Sequence, residues 1–178
     1  MSSAKWTGSS TPYLDSSRGD AWRQEAEAQG HAGSQRITYA GTTAAPDDVS
    51  IALRLAPKTP VMLRRRLILL DGQPVELADS YWPVALAEGT ALARPAKIPG
   101  GAVSLLAQLG YTAGSVDEQV RTRPPVSEER EALQMTDEDE WVLTLTRTIT
   151  NSDGRPYEAA VMVSPGRIGR LNYSMKVG

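Results

Sequence analysis

Three successive arginines, Arg64, Arg65 and Arg66, interrupt an otherwise apolar segment that has the composition of a β-strand. Because successive strand residues point to opposite faces, Arg64 and Arg66 share one face with Ile68, and Arg65 points away. A planar guanidinium offers paired donors to the oxygens of a carboxylate or phosphate. Two interpretations remain open: an anion site inside the fold, or arginines that reach water at an exposed face or edge.

Two other groups of residues have types suited to binding or proton transfer. Gly100 and Gly101 precede an apolar helical segment, and free N–H groups at a helix start can bind an anion, although glycines before helices are commonplace. Glu76 and Glu158 each follow a proline by two residues. They could act together as acid and base, but they belong to no catalytic motif, so we favour structural ion pairs for both.

The elements that must position these residues are two hairpins. Asp71-Gly72 lies inside the apolar segment 61–83, and Asp153-Gly154 lies inside the segment 141–163. Asp-Gly is suited to a tight reversal, because glycine tolerates positive φ and aspartate can bond the backbone of the turn. Each segment is therefore predicted to form two antiparallel strands.

The two hairpins repeat one another in sequence. Each reads Asp-Gly-x-Pro, then a glutamate, then a closing proline, and the same spacing separates Asp71 from Pro83 and Asp153 from Pro165. Arg66 and Arg147 occupy related places upstream, with a slip of one residue. We therefore predict two duplicated helix-hairpin halves and an α+β fold, in which helices cover one side of an antiparallel sheet of about six strands. This arrangement would let Arg66 and Glu158, from different halves, line one pocket.

The chain divides into an arm and a domain. Residues 1–35 are predicted to form an extended or partly helical arm, with a short helix over 20–29, and residues 36–178 form the folded domain. A further strand is expected over 36–40 and another over 116–123, with helices after Pro46, Gly101 and Ser127. The tail, 170–177, alternates weakly and suggests an added edge strand.

Composition excludes several classes of function. The formal net charge is −2 and the pI is about 5.5, which disfavours direct nucleic-acid binding by this chain. Cysteine is absent and His31 is the single histidine, so we expect no metal site and no catalytic triad. No nucleotide-binding glycine motif occurs, and we expect no cofactor. The polar N-terminus and the lack of a membrane-spanning run indicate a cytoplasmic protein without membrane contact.

The order and spacing of several segments resemble those of a known family. The segments are VSIALRLAP, RLILLDGQPVELADSYWP, PGGAVSLLAQLG, SEEREALQM and VLTLTRTITNSDGRPYE. Together they resemble the UTRA ligand-sensing domain of HutC-type GntR transcription regulators, which has the chorismate lyase fold. The resemblance covers residues 36–176. It implies a domain that dimerises and binds a small effector, often an anionic metabolite such as a sugar phosphate, and an effector that alters DNA binding by a separate N-terminal winged-helix domain.

The resemblance also implies a set of ligand-binding residues. Arg66 falls on the family's effector-binding arginine and Glu158 on a carboxylate of the second hairpin; Arg64 shares the strand face of Arg66 without support from the family pattern. At other pocket positions this chain departs from the sugar-phosphate-binding members: Ile68 replaces an arginine, Ala78 a glutamate, Ser164 a tyrosine, and Gly100 or Gly101 a serine. These departures favour a smaller or less polar effector than a sugar phosphate.

These observations predict a sensing domain without its own winged helix, since about 35 residues precede the matched region and a winged helix needs about 65. The expected partners are a small anionic or polar metabolite, a second copy of the chain in a homodimer, and a winged-helix DNA-binding protein. We expect no enzymatic activity. Two alternatives are a chorismate lyase-like enzyme, and a structural dimerisation or antirepressor module with no ligand.

Overall fold

Six antiparallel strands form one sheet in the computed structural model, which describes residues 10–15 and 20–173. The strand order is β1-β2-β3-β6-β5-β4, so the two predicted hairpins, β2-β3 and β5-β6, meet at the centre through β3 and β6. The strands are β1 Gly33–Ala44, β2 Pro60–Leu70, β3 Gln73–Pro83, β4 Ser115–Arg123, β5 Val142–Thr150 and β6 Pro156–Pro165. The helices are α1 Ala21–Ala28, α2 Asp47–Ala52, α3 Val84–Ala87, α4 Gly101–Gln108 and α5 Ser127–Ala132, with short 3₁₀ helices at Thr11–Tyr13 and Ala91–Ala93. The predicted α+β fold class is confirmed.

The sequence repeat corresponds to a structural duplication. Each half has the order helix, strand, helix, hairpin: α1-β1-α2-β2-β3 in the first half and α4-β4-α5-β5-β6 in the second. Arg54 follows α2 with φ of 55°, and Gln134 follows α5 with φ of 52°, so both helices end in the same left-handed conformation. Beside these residues the buried Leu53 and Leu133 pack onto the sheet in equivalent ways.

The strand register explains the one-residue slip between the repeats. Ile68 lies opposite Glu76 in the first hairpin, and Ile149 lies opposite Glu158 in the second, with a bulge directly after each pair. Asp71 and Gly72 have φ of 50° and 78°, so the first hairpin has a two-residue turn with both residues at positive φ. The second hairpin closes through the longer loop 151–155, which adds the extra residue.

Helices cover both faces of the sheet rather than the single face that we predicted. On one face, α2 and α5 contribute Val49 and Leu133 to clusters with the odd-numbered residues of β2, such as Leu67. On the other face, Trp22 of α1 packs with Ile68 of β2, and Leu106 of α4 belongs to a cluster that includes residues of the sheet. The second layer arises because each half supplies two helices, and they pack on opposite faces. The face beneath α1 and α4 carries Arg66 and Glu158.

Three segments differ in extent from the prediction. The first strand begins at Gly33 and continues to Ala44, well beyond the predicted 36–40. The predicted helix over 20–29 is present as α1, with Asp20 as its N-cap. In the tail, Leu171 forms an isolated bridge and no strand forms over 170–173; residues 174–178, like the arm residues 1–9 and 16–19, lie outside the described part.

Candidate functional site

A cavity lies between the sheet and the helices on the α1 and α4 side. It encloses about 200 Å³, less than the ~300–1,000 Å³ of sites for drug-sized ligands. Its floor is the central part of the sheet, and its walls include Trp22 of α1 and the start of α4 at Gly101. Pro12 and Tyr13, from the segment that precedes α1, and Arg170 and Leu171, from the segment after β6, also line it. The dimensions suit a small metabolite.

The floor is a regular array of side chains fixed by the strand register. Residues that lie opposite one another across β2, β3, β6 and β5 form four rows that point to the same face. The rows are Ile68, Glu76, Ser164 and Leu143; Arg66, Ala78, Met162 and Leu145; Arg64, Ser80, Ala160 and Arg147; and Met62, Trp82, Glu158 and Ile149. The duplication makes Arg66 equivalent to Arg147, and Glu76 equivalent to Glu158.

Arg66 has few partners within the protein. Its terminal nitrogens contact Gln35 Oε1 and Ser80 Oγ at 3.5 Å, the outer limit of a hydrogen bond. Its Nε is buried and has no partner among the described residues. The residue opposite Arg66 on β1 is Ile37, which offers no acceptor. Since an unsatisfied buried donor of a charged group is costly, the guanidinium is suited to an acceptor from a ligand.

Arg147 is paired instead. Its Nε donates to Glu118 Oε1 at 2.7 Å, and both side chains are largely buried, with exposed fractions of 9% and 13%. Glu118 lies directly opposite Arg147 on β4, at the place that Ile37 takes in the first half. The other carboxylate oxygen of Glu118 accepts from the Tyr173 hydroxyl at 2.9 Å. The pKa of Glu118 is lowered overall, although burial opposes the hydrogen bond from Arg147.

The two floor glutamates differ in their surroundings. Glu158 Oε2 accepts from Trp82 Nε1 at 3.1 Å, and burial raises the pKa of Glu158. Glu76 Oε2 has a contact from Ser164 Oγ at 3.4 Å. Burial raises the pKa of Glu76 to about 7, although the charges of Arg66 and Arg147 favour the ionised form. Glu76 is therefore a carboxyl group that can change its protonation state near neutral pH.

Neither of the interpretations that we considered for this pair is supported. Glu76 lies in the same row as Ser164, and Ser164 is six residues from Glu158 along β6. At about 3.3 Å per strand residue, the row of Glu76 is therefore about 20 Å from Glu158. Such a separation prevents the two from acting together on one bond. Within the described residues neither carboxylate forms an ion pair, because the nearby Arg147 is held by Glu118.

Arg64 stabilises the backbone beside the cavity. Its terminal nitrogens donate to the carbonyl oxygens of Arg94 and Ala96, both at 2.5 Å. Burial, with a smaller effect from Arg66, lowers the pKa of Arg64. Because these carbonyls belong to the loop that leads to α4, Arg64 fixes the wall of the cavity, and its terminal nitrogens are occupied by backbone acceptors.

Arg65 lies on the opposite face of the sheet, as the strand alternation predicted. It forms a two-point interaction with Asp79, at 2.8 and 2.7 Å, and also contacts Glu128 at the start of α5. These carboxylates account for its charge, so Arg65 links β3 to α5 and takes no part in the cavity.

The remaining predicted residues lie on the cavity wall or floor. Ala78 and Ser164 line the floor, and Gly100 and Gly101 line the wall at the start of α4. Gly100 has φ of 76°, and the N–H of Gly101 donates to the Ile98 carbonyl at 2.9 Å. One of the backbone donors expected there is thus already used. Arg66 and Glu158 line the same cavity, as the duplication predicted.

A second cavity of about 270 Å³ adjoins the first. It lies between α1, β1 and the loop before α4, and Arg66, Ser80 and Gly101 line both cavities. Lys97 Nζ contacts Asp20 Oδ2 at 3.3 Å and connects that loop to the N-cap of α1. Arg66 therefore faces both chambers.

Sequence reasoning did not place Pro12, Tyr13 or Glu118 at the site, and it gave Glu76 a role other than ligand binding. The arm residues Pro12 and Tyr13 have no pattern that would place them over the sheet. Glu118 pairs with Arg147 through the register of β4, which the sequence does not specify. Glu76 carried a usable signal, since its equivalence to Glu158 places it on the same face.

Comparison with known proteins identifies the family. The family model described as UTRA domain matches residues 28–167. The HTH-type transcriptional regulator SCO4628 of Streptomyces coelicolor is 33% identical over 132 residues, which cover 72% of this chain and 49% of the relative. The chain thus spans about half the length of that relative.

Solved structures agree with this comparison. A protein described as a GntR-family transcriptional regulator has a TM-score of 0.75 at 27% identity, over 88% of this chain and 64% of the other. The effector domain of PhnF from Mycobacterium smegmatis has a TM-score of 0.73 at 18% identity, over 88% of this chain and 94% of the other; this second likeness concerns the fold. Because the family model matches most of this chain, the chain belongs to the UTRA domain family.

Proposed function

We propose that this chain is the effector-binding domain of a GntR-family transcriptional regulator, and that a small anionic or polar metabolite binds in the cavity beside Arg66. The observation that carries the proposal is the guanidinium of Arg66, which faces the cavity with a buried Nε that lacks a partner in residues 10–15 and 20–173. Membership of the UTRA domain family and likeness to a GntR-family regulator support the sensing role.

The surrounding residues support a ligand at this place rather than an empty scaffold. Arg64, Arg65 and Arg147 each have short hydrogen bonds to carbonyl or carboxylate oxygens of the protein. Arg66 has only contacts at 3.5 Å. A carboxylate or phosphate group of a metabolite would supply the acceptors that the protein withholds. Gly100, Gly101, Ala78 and Ser164 would contact the rest of the ligand, Glu158 would border the far end of the cavity, and Arg64 would act by holding the wall.

The effector would influence DNA binding through the segment that enters the domain. Pro12 and Tyr13 line the cavity but precede the region matched by the family model. The Tyr13 hydroxyl donates to Glu25 Oε2 at 2.7 Å, which ties this segment to α1. A ligand in the cavity would therefore contact the segment directly. The proposed partner is a winged-helix DNA-binding module, and the proposed location is the cytoplasm. Among the described residues, none of the helices has the length and apolar character of a membrane span.

We also propose that the domain forms a homodimer. β1 and β4 are the edges of the sheet, and Val120 on β4 is 45% exposed. An edge strand presents unpaired backbone groups to another chain. Light scattering after size exclusion would show twice the monomer mass, and Val120→Lys would lower this mass if β4 forms the contact.

The ligand proposal is tested with Arg66 variants and a metabolite library. Differential scanning fluorimetry of the purified chain identifies compounds that raise Tm, and calorimetry measures their Kd. Loss of a charged hydrogen-bond partner should weaken binding by roughly 10- to 100-fold in Arg66→Ala. Arg66→Lys should recover part of the affinity, because it restores the charge without the planar fork.

Arg121→Ala is the matched control, since Arg121 is exposed on β4 and its side chain donates a hydrogen bond to Gln119 Oε1 at 3.1 Å. It should bind like the wild type. An identified effector that binds Arg66→Ala and Arg121→Ala equally well would refute the assignment of the site.

Binding without catalysis is part of the proposal, since the relatives reported above are named as regulators. Incubation with chorismate should release no pyruvate. Turnover that is lost in Arg66→Ala would instead establish the chorismate lyase-like alternative.

A further inference from the structure

We propose that the effector carries two charges of opposite sign: an anionic group bound by Arg66 and an ammonium group, or a comparable cationic donor, bound by Glu76. This inference rests on the proposed function and specifies the class of ligand for the same cavity. It assigns to Glu76 a ligand-binding role, in place of the ion pair that its sequence context suggested.

The register places Arg66 and Glu76 as diagonal neighbours on the cavity floor. Arg66 lies opposite Ala78, and Glu76 is two residues from Ala78 on the same strand. Diagonal neighbours have Cα atoms about 7–8 Å apart, and both side chains line the cavity. The small side chain of Ala78 leaves the space between them open. A small ligand can therefore contact both groups at once.

Glu76 is available for this contact. Its contact with Ser164 Oγ is long, at 3.4 Å, and no described lysine or arginine forms an ion pair with it. The equivalent Glu158 is engaged by Trp82 Nε1 at 3.1 Å. The two strongest attractive charges near Glu76 are those of Arg66 and Arg147, and the second of these is already paired with Glu118.

The charge balance favours a zwitterion over a simple ion. An anion on Arg66 would place a second negative charge next to the ionised form of Glu76 in a poorly solvated site, so binding of a simple anion would require Glu76 to take up a proton. A cation on Glu76 alone would leave the buried Nε of Arg66 without an acceptor. A zwitterion satisfies both groups and adds no net charge to the cavity.

Proton linkage gives an independent readout. The charged or titratable groups with an effect on Glu76 are Arg66 on β2, Arg147 on β5 and Glu25 on α1, and Ser164 on β6 is its hydrogen-bond donor. Since burial raises the pKa of Glu76 to about 7, part of the protein carries a proton there at neutral pH. A bound ammonium group favours the carboxylate, so zwitterion binding should release protons.

The test uses four five-carbon probes: 2-aminopentanoate and 5-aminopentanoate as zwitterions, pentanoate as the anion and pentylamine as the cation. Calorimetry at neutral pH, in two buffers of different ionisation enthalpy, gives the affinity and the proton count. We expect at least one zwitterion to bind about tenfold or more tightly than either single-charge probe. Glu76→Gln should abolish this preference and the proton release. The exposed Glu131→Gln is the matched control and should retain both.

The outcomes separate the inference from the proposed function. Equal, Arg66-dependent binding of pentanoate and the zwitterions would overturn the inference and leave the effector site standing. A zwitterion preference that persists in Glu76→Gln, with circular dichroism showing a folded variant, would do the same. Binding that Arg66→Ala does not change, or no binding of any probe, would contradict both proposals.

Discussion

The two halves of the sheet present equivalent charged residues to the same cavity, but they differ in the partners of those residues. Arg147 lies opposite Glu118 and forms an ion pair with it at 2.7 Å, whereas Arg66 lies opposite Ile37 and has no carboxylate partner in the described chain. Glu158 accepts a hydrogen bond from a buried tryptophan, whereas Glu76 has one long contact with a serine. Arg147 and Glu158 of the second half therefore each have a close partner within the protein, whereas Arg66 and Glu76 of the first half have only long contacts.

This difference suggests how a duplicated fold acquires a site. The duplication supplies two arginines and two glutamates at related positions, and buried charges are tolerated when they are paired. Under the proposed function, an apolar residue such as Ile37 at the edge-strand position opposite Arg66 leaves this arginine free to bind a ligand. Measurements that exchange or remove partners in the two halves test this interpretation.

The largest expected difference in the free energy of unfolding is between alanine variants of Trp82 and of its equivalent, Ser164. Trp82 is 0% exposed and belongs to the main apolar cluster, so Trp82→Ala should lower the free energy of unfolding by about 4 kcal/mol. Ser164→Ala removes a single weak hydrogen bond and should cost less than about 1 kcal/mol. Urea denaturation measures both.

Trp82→Phe serves as the control, because it keeps most of the packing and removes the donor to Glu158. Its loss in the free energy of unfolding should fall between those of Trp82→Ala and Ser164→Ala, and the pKa of Glu158 should rise further. Equal losses for Trp82→Ala and Ser164→Ala would show that the halves are energetically alike and contradict the comparison.

The next effect is expected from the ion pair of the second half. Glu118→Ala leaves Arg147, which is 8% exposed, without its carboxylate. Breaking a buried pair in this way should lower the free energy of unfolding by about 3 kcal/mol. The exposed Glu131→Ala is the control and should change it by less than about 0.5 kcal/mol. If Glu118→Ala lowers the free energy of unfolding no more than Glu131→Ala does, the ion pair does not stabilise Arg147, and the contrast with Arg66 is contradicted.

Much of the fold followed from local sequence. The two Asp-Gly turns and the repeat of proline and glutamate specified the hairpins, and with them the equivalence of Arg66 and Arg147. The repeat also placed Glu158 on the face of Arg66, because side chains alternate along a strand. Those inferences needed only short-range patterns, which strand geometry and turn chemistry determine directly.

The roles of individual charged residues depended on long-range contacts and could not be predicted. Arg64 and Arg66 have the same residue type and the same face, yet Arg64 binds carbonyls of residues 94 and 96. Arg147 was predicted as an equivalent of Arg66, but its pairing depends on the register of β4 with β5. A shift of one residue would have turned Glu118 to the other face.

The protonation of Glu76 should make stability depend on pH. With the pKa raised from 4.5 to about 7, the folded state retains a proton that the unfolded state has lost in this window. The free energy of unfolding contributed by Glu76 is therefore highest below about pH 4.5, falls as pH rises through the window, and is lowest above about pH 7. The full shift corresponds to at most about 3 kcal/mol.

Glu76→Gln removes this dependence, because its amide stays neutral. The variant should exceed the wild type by about 2 kcal/mol at about pH 8 and match it at about pH 4.5. Urea denaturation at the two pH values measures the difference, with Glu131→Gln as the control. A gain that is the same at both pH values would mean that folding does not raise the pKa of Glu76, so its carboxylate would be as well stabilised in the folded protein as in water, against the open environment that the comparison assigns to it.

The smallest change in stability, with the largest change in binding, is expected from Ile37→Glu. This substitution places a carboxylate opposite Arg66, as Glu118 lies opposite Arg147. The new pair should alter the free energy of unfolding by less than about 1 kcal/mol, since the gain in attraction is offset by the loss of apolar contact and of solvation. Because the pair occupies the donors of Arg66, it should weaken binding of any Arg66-dependent ligand by roughly 10-fold or more.

Ile37→Gln, which has a shape similar to that of Ile37→Glu and no charge, is the control and should bind nearly as well as the wild type. Retention of affinity in Ile37→Glu would mean that an internal carboxylate and a ligand can share Arg66, and the contrast between an occupied and an open arginine would then not explain why the first half holds the site.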